Sequence, residues 1–104
     1  MSMGQGSAVP AFDALHVPPA ALERGGVEIV RAVVVDGALH VSLRPAFDDP
    51  QAWGMLLADV ARHVSRIYQN EGKASEARTL ERIRMMFDAE LDSPTDPGTT
   101  TAIS

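Results

Sequence analysis

Between Val27 and Leu43 the chain is dominated by β-branched and other apolar residues, broken once by Asp36-Gly37, and beyond Pro50 the apolar positions switch to a helical spacing. That change of period divides the sequence into a β part and an α part. The first part reads as two strands, over about 27–35 and 38–44. Asp-Gly is the favoured pair for a two-residue type I′ turn, because both turn positions need positive φ. Counting outward from the turn sets Val35 opposite Ala38, Val34 opposite Leu39, Val33 opposite His40, Ala32 opposite Val41, Arg31 opposite Ser42 and Val30 opposite Leu43. One face of the hairpin then collects Val30, Ala32, Val34, Leu39, Val41 and Leu43, all apolar. The other collects Arg31, Val33, Val35, Ala38, His40 and Ser42. A slip of one residue would mix the two sets, so the pattern itself specifies the register.

The α part opens with a start signal, Asp49 as N-cap and Pro50 at the first helical position. A helix is expected over about 50–71, with Trp53, Leu56, Leu57, Val60, Val64, Ile67 and Tyr68 on one apolar stripe. Gly54 inside it costs about 1 kcal/mol relative to Ala, which a close packing approach would explain. Gly72 fits the position just past the helix end. A second helix is expected over about 74–91, with Leu80, Ile83, Phe87 and Leu91 facing inward. The short Gly72-Lys73 connection lays the two helices antiparallel as a helical hairpin. Upstream, Pro18-Pro19-Ala20-Ala21-Leu22-Glu23-Arg24 before Gly25-Gly26 reads as a short N-terminal helix. Residues 1–12 and 93–104 lack a regular pattern and read as a disordered leader and tail around a single α+β domain, 13–92. The expected fold class is α+β, a β-hairpin packed against a helical hairpin, with the helices covering the apolar sheet face.

Composition narrows the functional classes. The chain has 104 residues, no cysteine and a formal charge of −5, which excludes disulfides, thiolate metal sites and thiol nucleophiles. Six acids and three bases fall in residues 1–49, six of each in 50–91, and two acids with no base in 92–104. The helical hairpin is therefore neutral overall, and the acidic balance argues against nucleic acid as a partner. The apolar runs are far shorter than the roughly 20 residues that span a bilayer, and no basic stretch precedes an apolar core near Met1. The expectation is a cytoplasmic protein with no membrane or nucleic-acid partner and no cofactor. A two-stranded sheet is marginal alone and leaves both edges open, which points to a second copy of the chain as partner, a homodimer; any other protein partner stays unidentified.

Residues that could carry chemistry are few. Asp59, Arg62, His63 and Arg66, spaced i, i+3, i+4 and i+7, share one polar stripe of the long helix. Two guanidinium groups and a histidine oriented by Asp59 would suit an anion or a partner's carboxylate. The plainer reading is a solvated helix face with an Asp59–His63 or Asp59–Arg62 pair, worth about 0.3–0.5 kcal/mol. His40 belongs to the mixed hairpin face and His16 precedes the Pro-Pro turn; with only Asp59 and His63 at ligand spacing, no metal site is expected. Ser42, Ser65 and Ser75 lack a nucleophile elbow, and no phosphate loop or dinucleotide fingerprint is present, so no catalytic residue is assigned. Met55, Met85 and Met86 read as core or interface fillers.

The run Asp36-Gly37-Ala38-Leu39-His40-Val41-Ser42-Leu43, followed by Asp49-Pro50-Gln51-Ala52-Trp53-Gly54-Met55-Leu56-Leu57-Ala58-Asp59 and Arg62-His63, resembles a small bacterial family known only as a domain of unknown function. Leu15-His16-Val17-Pro18-Pro19-Ala20-Ala21 resembles that family's opening segment, so the likeness covers about residues 13–94. It implies a short α+β bacterial domain and transfers no functional residue. The sequence thus supports a homodimeric interaction or regulatory module first. The alternative is a small-ligand or anion-binding protein using the charged stripe.

Overall fold

A computed structural model describes residues 11–96; most of the expected leader and tail, 1–10 and 97–104, lies outside the described residues. The elements follow the expected order: α1 (Pro19–Arg24), β1 (Val30–Val35), β2 (Ala38–Leu43), α2 (Gln51–Asn70) and α3 (Glu76–Asp92). The fold class is α+β, a two-stranded antiparallel hairpin followed by a helical hairpin.

The hairpin has the register that the pattern dictates, from Val35 opposite Ala38 to Val30 opposite Leu43. Its turn is held by Asp36 at φ 51° and Gly37 at φ 81°, the two left-handed positions of a type I′ turn. Strand β1 is shorter than expected at its start, since 27–29 are not strand, although the Arg44 N–H still donates to the Ile29 carbonyl at 2.9 Å.

The helices start and stop for the reasons the sequence suggests. Asp49 accepts the Gln51 N–H at 2.9 Å, and Pro50 already has helical angles of −58° and −22°. At the other end Lys73 N–H donates to the Tyr68 carbonyl and Gly72 N–H to the Gln69 carbonyl, each at 3.0 Å. That pair of bonds is a Schellman closure, which needs a left-handed residue and has Gly72 at φ 73°. Ser75 caps α3 by accepting the Arg78 N–H at 3.1 Å.

Packing is where the structure departs from expectation. Strand touches strand and α2 touches α3, but among the described residues no strand touches a helix, so the helices do not cover the apolar sheet face within one chain. The reason lies in the connection 44–50. Its first residues continue the hairpin, whereas its last ones serve the helix start, through the Asp49 cap and an edge-to-face contact of Phe47 with Trp53 at 5.3 Å between centroids. Two prolines, Pro45 and Pro50, stiffen the span between.

The interface between α2 and α3 is also displaced from the expected stripe. It buries Ser65, fully, and Thr79, whose hydroxyls donate within their own helices to the carbonyls of Ala61 at 2.8 Å and Ser75 at 2.9 Å. The expected stripes are partly covered: Trp53, Leu56 and Val64 on α2 and Leu80 and Ile83 on α3 are half-buried, whereas Val60 and Ile67 are each 52% exposed. Gly54 does not mark a close approach, because a Cβ there would meet nothing within 4 Å. No apolar side chain among the described residues is buried.

Candidate functional site

The charged stripe stands on α2, well away from its Asp49 cap. Asp59, Arg62, His63 and Arg66 are all exposed on one convex face of α2. Neither pairing expected for Asp59 forms. The ion pair this stripe makes is Arg66 with Glu76, at 3.6 Å across the helix–helix turn, between side chains 50% and 35% exposed. A pair so exposed contributes little to stability. The partner is one that the sequence reasoning missed, together with Gln69, whose side-chain oxygen accepts the Glu76 N–H at 2.7 Å. The signal was available in the antiparallel helix arrangement, which brings the last turn of α2 beside the first turn of α3. These contacts fasten the turn, while Arg62 and His63 stand exposed to solvent.

Among the described residues no three His, Asp or Glu side chains gather at metal-binding spacing. His40 lies on the mixed face of the hairpin opposite Val33, exposed. His16 lines an open cleft of about 1380 Å³ between the segment 11–18, α1 and β1. Its apolar lining includes Phe12, Leu15, Val17, Val30 and Val34. Arg31 closes one wall, paired with Glu28 at 3.0 Å and set 5.5 Å from the Phe12 ring centroid. The apolar character of this cleft is that of an uncovered surface, with no convergent set of polar groups.

The larger feature is apolar. The hairpin face that the register collects is largely open, with Val34 70% and Leu39 67% exposed, and Val60 and Ile67 on α2 and Met86, Phe87 and Leu91 on α3 are exposed too. Two apolar surfaces of one chain thus face water, which is the composition of a recognition surface. Two perturbed ionisable groups lie elsewhere, at chain turns. The Glu90 carboxyl is held below its usual range because Thr95 donates both its hydroxyl, at 2.6 Å, and its N–H, at 3.1 Å. Lys73 is pushed up by its contact with Glu71 at 3.0 Å. Both groups are exposed and fasten the ends of helices.

Comparison with known proteins places this geometry. The model of a family described as a domain of unknown function (DUF5076) matches residues 14–95. A solved structure described as a "putative pyruvate dehydrogenase" from the photosynthetic bacterium Rhodopseudomonas palustrus CGA009 is 42% identical, covering 94% of this chain and 100% of its own, with a TM-score of 0.72. No curated protein matches the sequence.

Proposed function

The chain belongs to the DUF5076 family, and we propose that it works as a homodimeric interaction or regulatory module of the cytoplasm, folding and acting through a second copy of itself. The observation that carries this reading is the missing core. Among the described residues no apolar side chain is buried, and large ones on both the hairpin and the helices, such as Val34, Leu39, Met55 and Leu91, are each at least 67% exposed. With no cysteine to form a stabilising disulfide, association is the simplest source of the missing burial.

The anion-binding alternative has less behind it, because the charged stripe is convex and Arg66 is directed to Glu76. The pyruvate dehydrogenase description of the similar structure supplies no residue to this chain. The cytoplasmic setting is supported by the cysteine-free sequence; no helix among the described residues is long and apolar enough to cross a membrane.

Light scattering on the purified protein through a dilution series tests the proposal. The expected mass is twice the 11.1 kDa of the chain. A mass of one chain, together with cooperative thermal unfolding, would overturn it.

A further inference from the structure

We infer that in the dimer the apolar hairpin face of each copy seats on the open α2–α3 surface of the other, an exchange made twice about a two-fold axis. The inference rests on the self-association proposed above and adds which surfaces meet. Three observations carry it. First, the two apolar surfaces belong to units that do not touch within the chain, so each needs a cover that its own chain does not supply. Second, the two are alike in character and extent: Val34, Leu39, Val41 and Leu43 on the hairpin, Val60, Ile67, Phe87 and Leu91 on the helices, all between 46% and 70% exposed. A face that matches another face of the same molecule generates a closed dimer when the contact is made reciprocally.

Third, the competing arrangement leaves the deficit in place. Joining two hairpins edge to edge would pair backbone groups at the free edges. It would not remove the side chains on either face from water, since those stand perpendicular to the plane of pairing. Only a face-to-face contact buries them, and the apolar effect scales with that area. The span 44–50 keeps the hairpin off its own helices in the described arrangement, so the contact that would close the domain internally is available between copies, as in domain exchange.

The absence of cysteine makes the test direct. Val41→Cys is placed on the hairpin face and Val60→Cys on the helix surface, each in an otherwise unchanged chain. The two variants are unfolded together, refolded and treated with a short bis-maleimide. The expected product is a covalent dimer linking position 41 to position 60, found by peptide mapping, at several times the yield given by either variant alone. A second pair, Leu39→Cys with Phe87→Cys, repeats the measurement should one position be unfavourably oriented. Three results would overturn the exchange: neither pair linking while light scattering gives a dimer, Val41→Cys linking to itself as efficiently as to its partner, or the double variant V41C/V60C linking within one chain when diluted into excess unmodified protein. A light-scattering mass of one chain would instead remove the self-association on which the inference stands, so the two failures are distinguishable.

Discussion

Leu39→Ala isolates the hairpin face as an energetic contributor to association. Leu39 is 67% exposed in the isolated chain, so truncating it removes little that the chain itself has buried. If a second copy covers the hairpin face, the lost carbons count in full. Three carbons at about 0.8 kcal/mol each correspond to about 2.4 kcal/mol on complete burial. About two thirds of that, or about 1.6 kcal/mol, belongs to surface that only association can remove. A two-fold interface contains the residue twice, which gives about 3 kcal/mol and a rise in Kd of about 200-fold. Sedimentation equilibrium of the variant and the unmodified protein over a wide concentration range measures this shift. Val35→Ala, on the opposite face beside the turn, serves as the control and should leave Kd within about twofold. Equal losses from the two faces, or a Leu39→Ala dimer as tight as the original, would refute the assignment of the hairpin face.

The remaining predictions concern single contacts. Gly54→Ala should stabilise the protein by about 1 kcal/mol in urea unfolding, because helix propensity improves and the added Cβ meets nothing within 4 Å; destabilisation would mean that something packs there. Ser65→Ala should be nearly neutral, since its hydroxyl bonds only to a carbonyl of its own helix, whereas Ser65→Leu should cost about 1–3 kcal/mol by forcing α3 away. The Glu90–Thr95 tie should be present above the usual carboxylate range and be lost as pH falls through the lowered value of Glu90, because the bonded form is the charged one. The Thr95 amide resonance should report that titration below the ordinary glutamate range, and its insensitivity to acid would contradict the tie. The melting temperature should rise with protein concentration, by about 4 °C per tenfold for a dimer whose folding and association are one step; a concentration-independent value would argue for an independently stable monomer.

What the sequence made legible was local. The Asp36-Gly37 turn, the strand register, the Asp49 cap and the Gly72 closure each depend on a few adjacent residues, and each is found where the pattern places it. What it hid was tertiary. The stripe from Trp53 to Tyr68 predicted one buried face, and it is only partly covered, with Trp53, Leu56 and Val64 half-buried while the fully buried position of α2 is Ser65 on its flank. An apolar stripe says that a surface wants cover without saying which surface covers it, and a buried serine bonded to its own helix leaves no mark in a hydrophobic pattern. The same limit applies to the charged stripe. Spacing correctly put Asp59, Arg62, His63 and Arg66 on one helix face, but whether a face is concave depends on neighbouring elements, and among the described residues Glu76 is the one that pairs with it.

The direction of these departures is informative. If a sequence pattern simply overstated burial, the uncovered residues would be scattered among otherwise packed ones. They are grouped instead, with most of one hairpin face and the Val60, Ile67, Phe87 and Leu91 positions of the helices left open while the helix contact, caps and turns are in order. Grouping of that kind arises when units fold correctly and the contact between them is missing. The hairpin cannot persist on its own, since two strands without a covered face are marginal in water. Its specified register therefore argues that the apolar face is covered in the working protein, and under the proposed exchange that cover is the α2–α3 surface of a second copy.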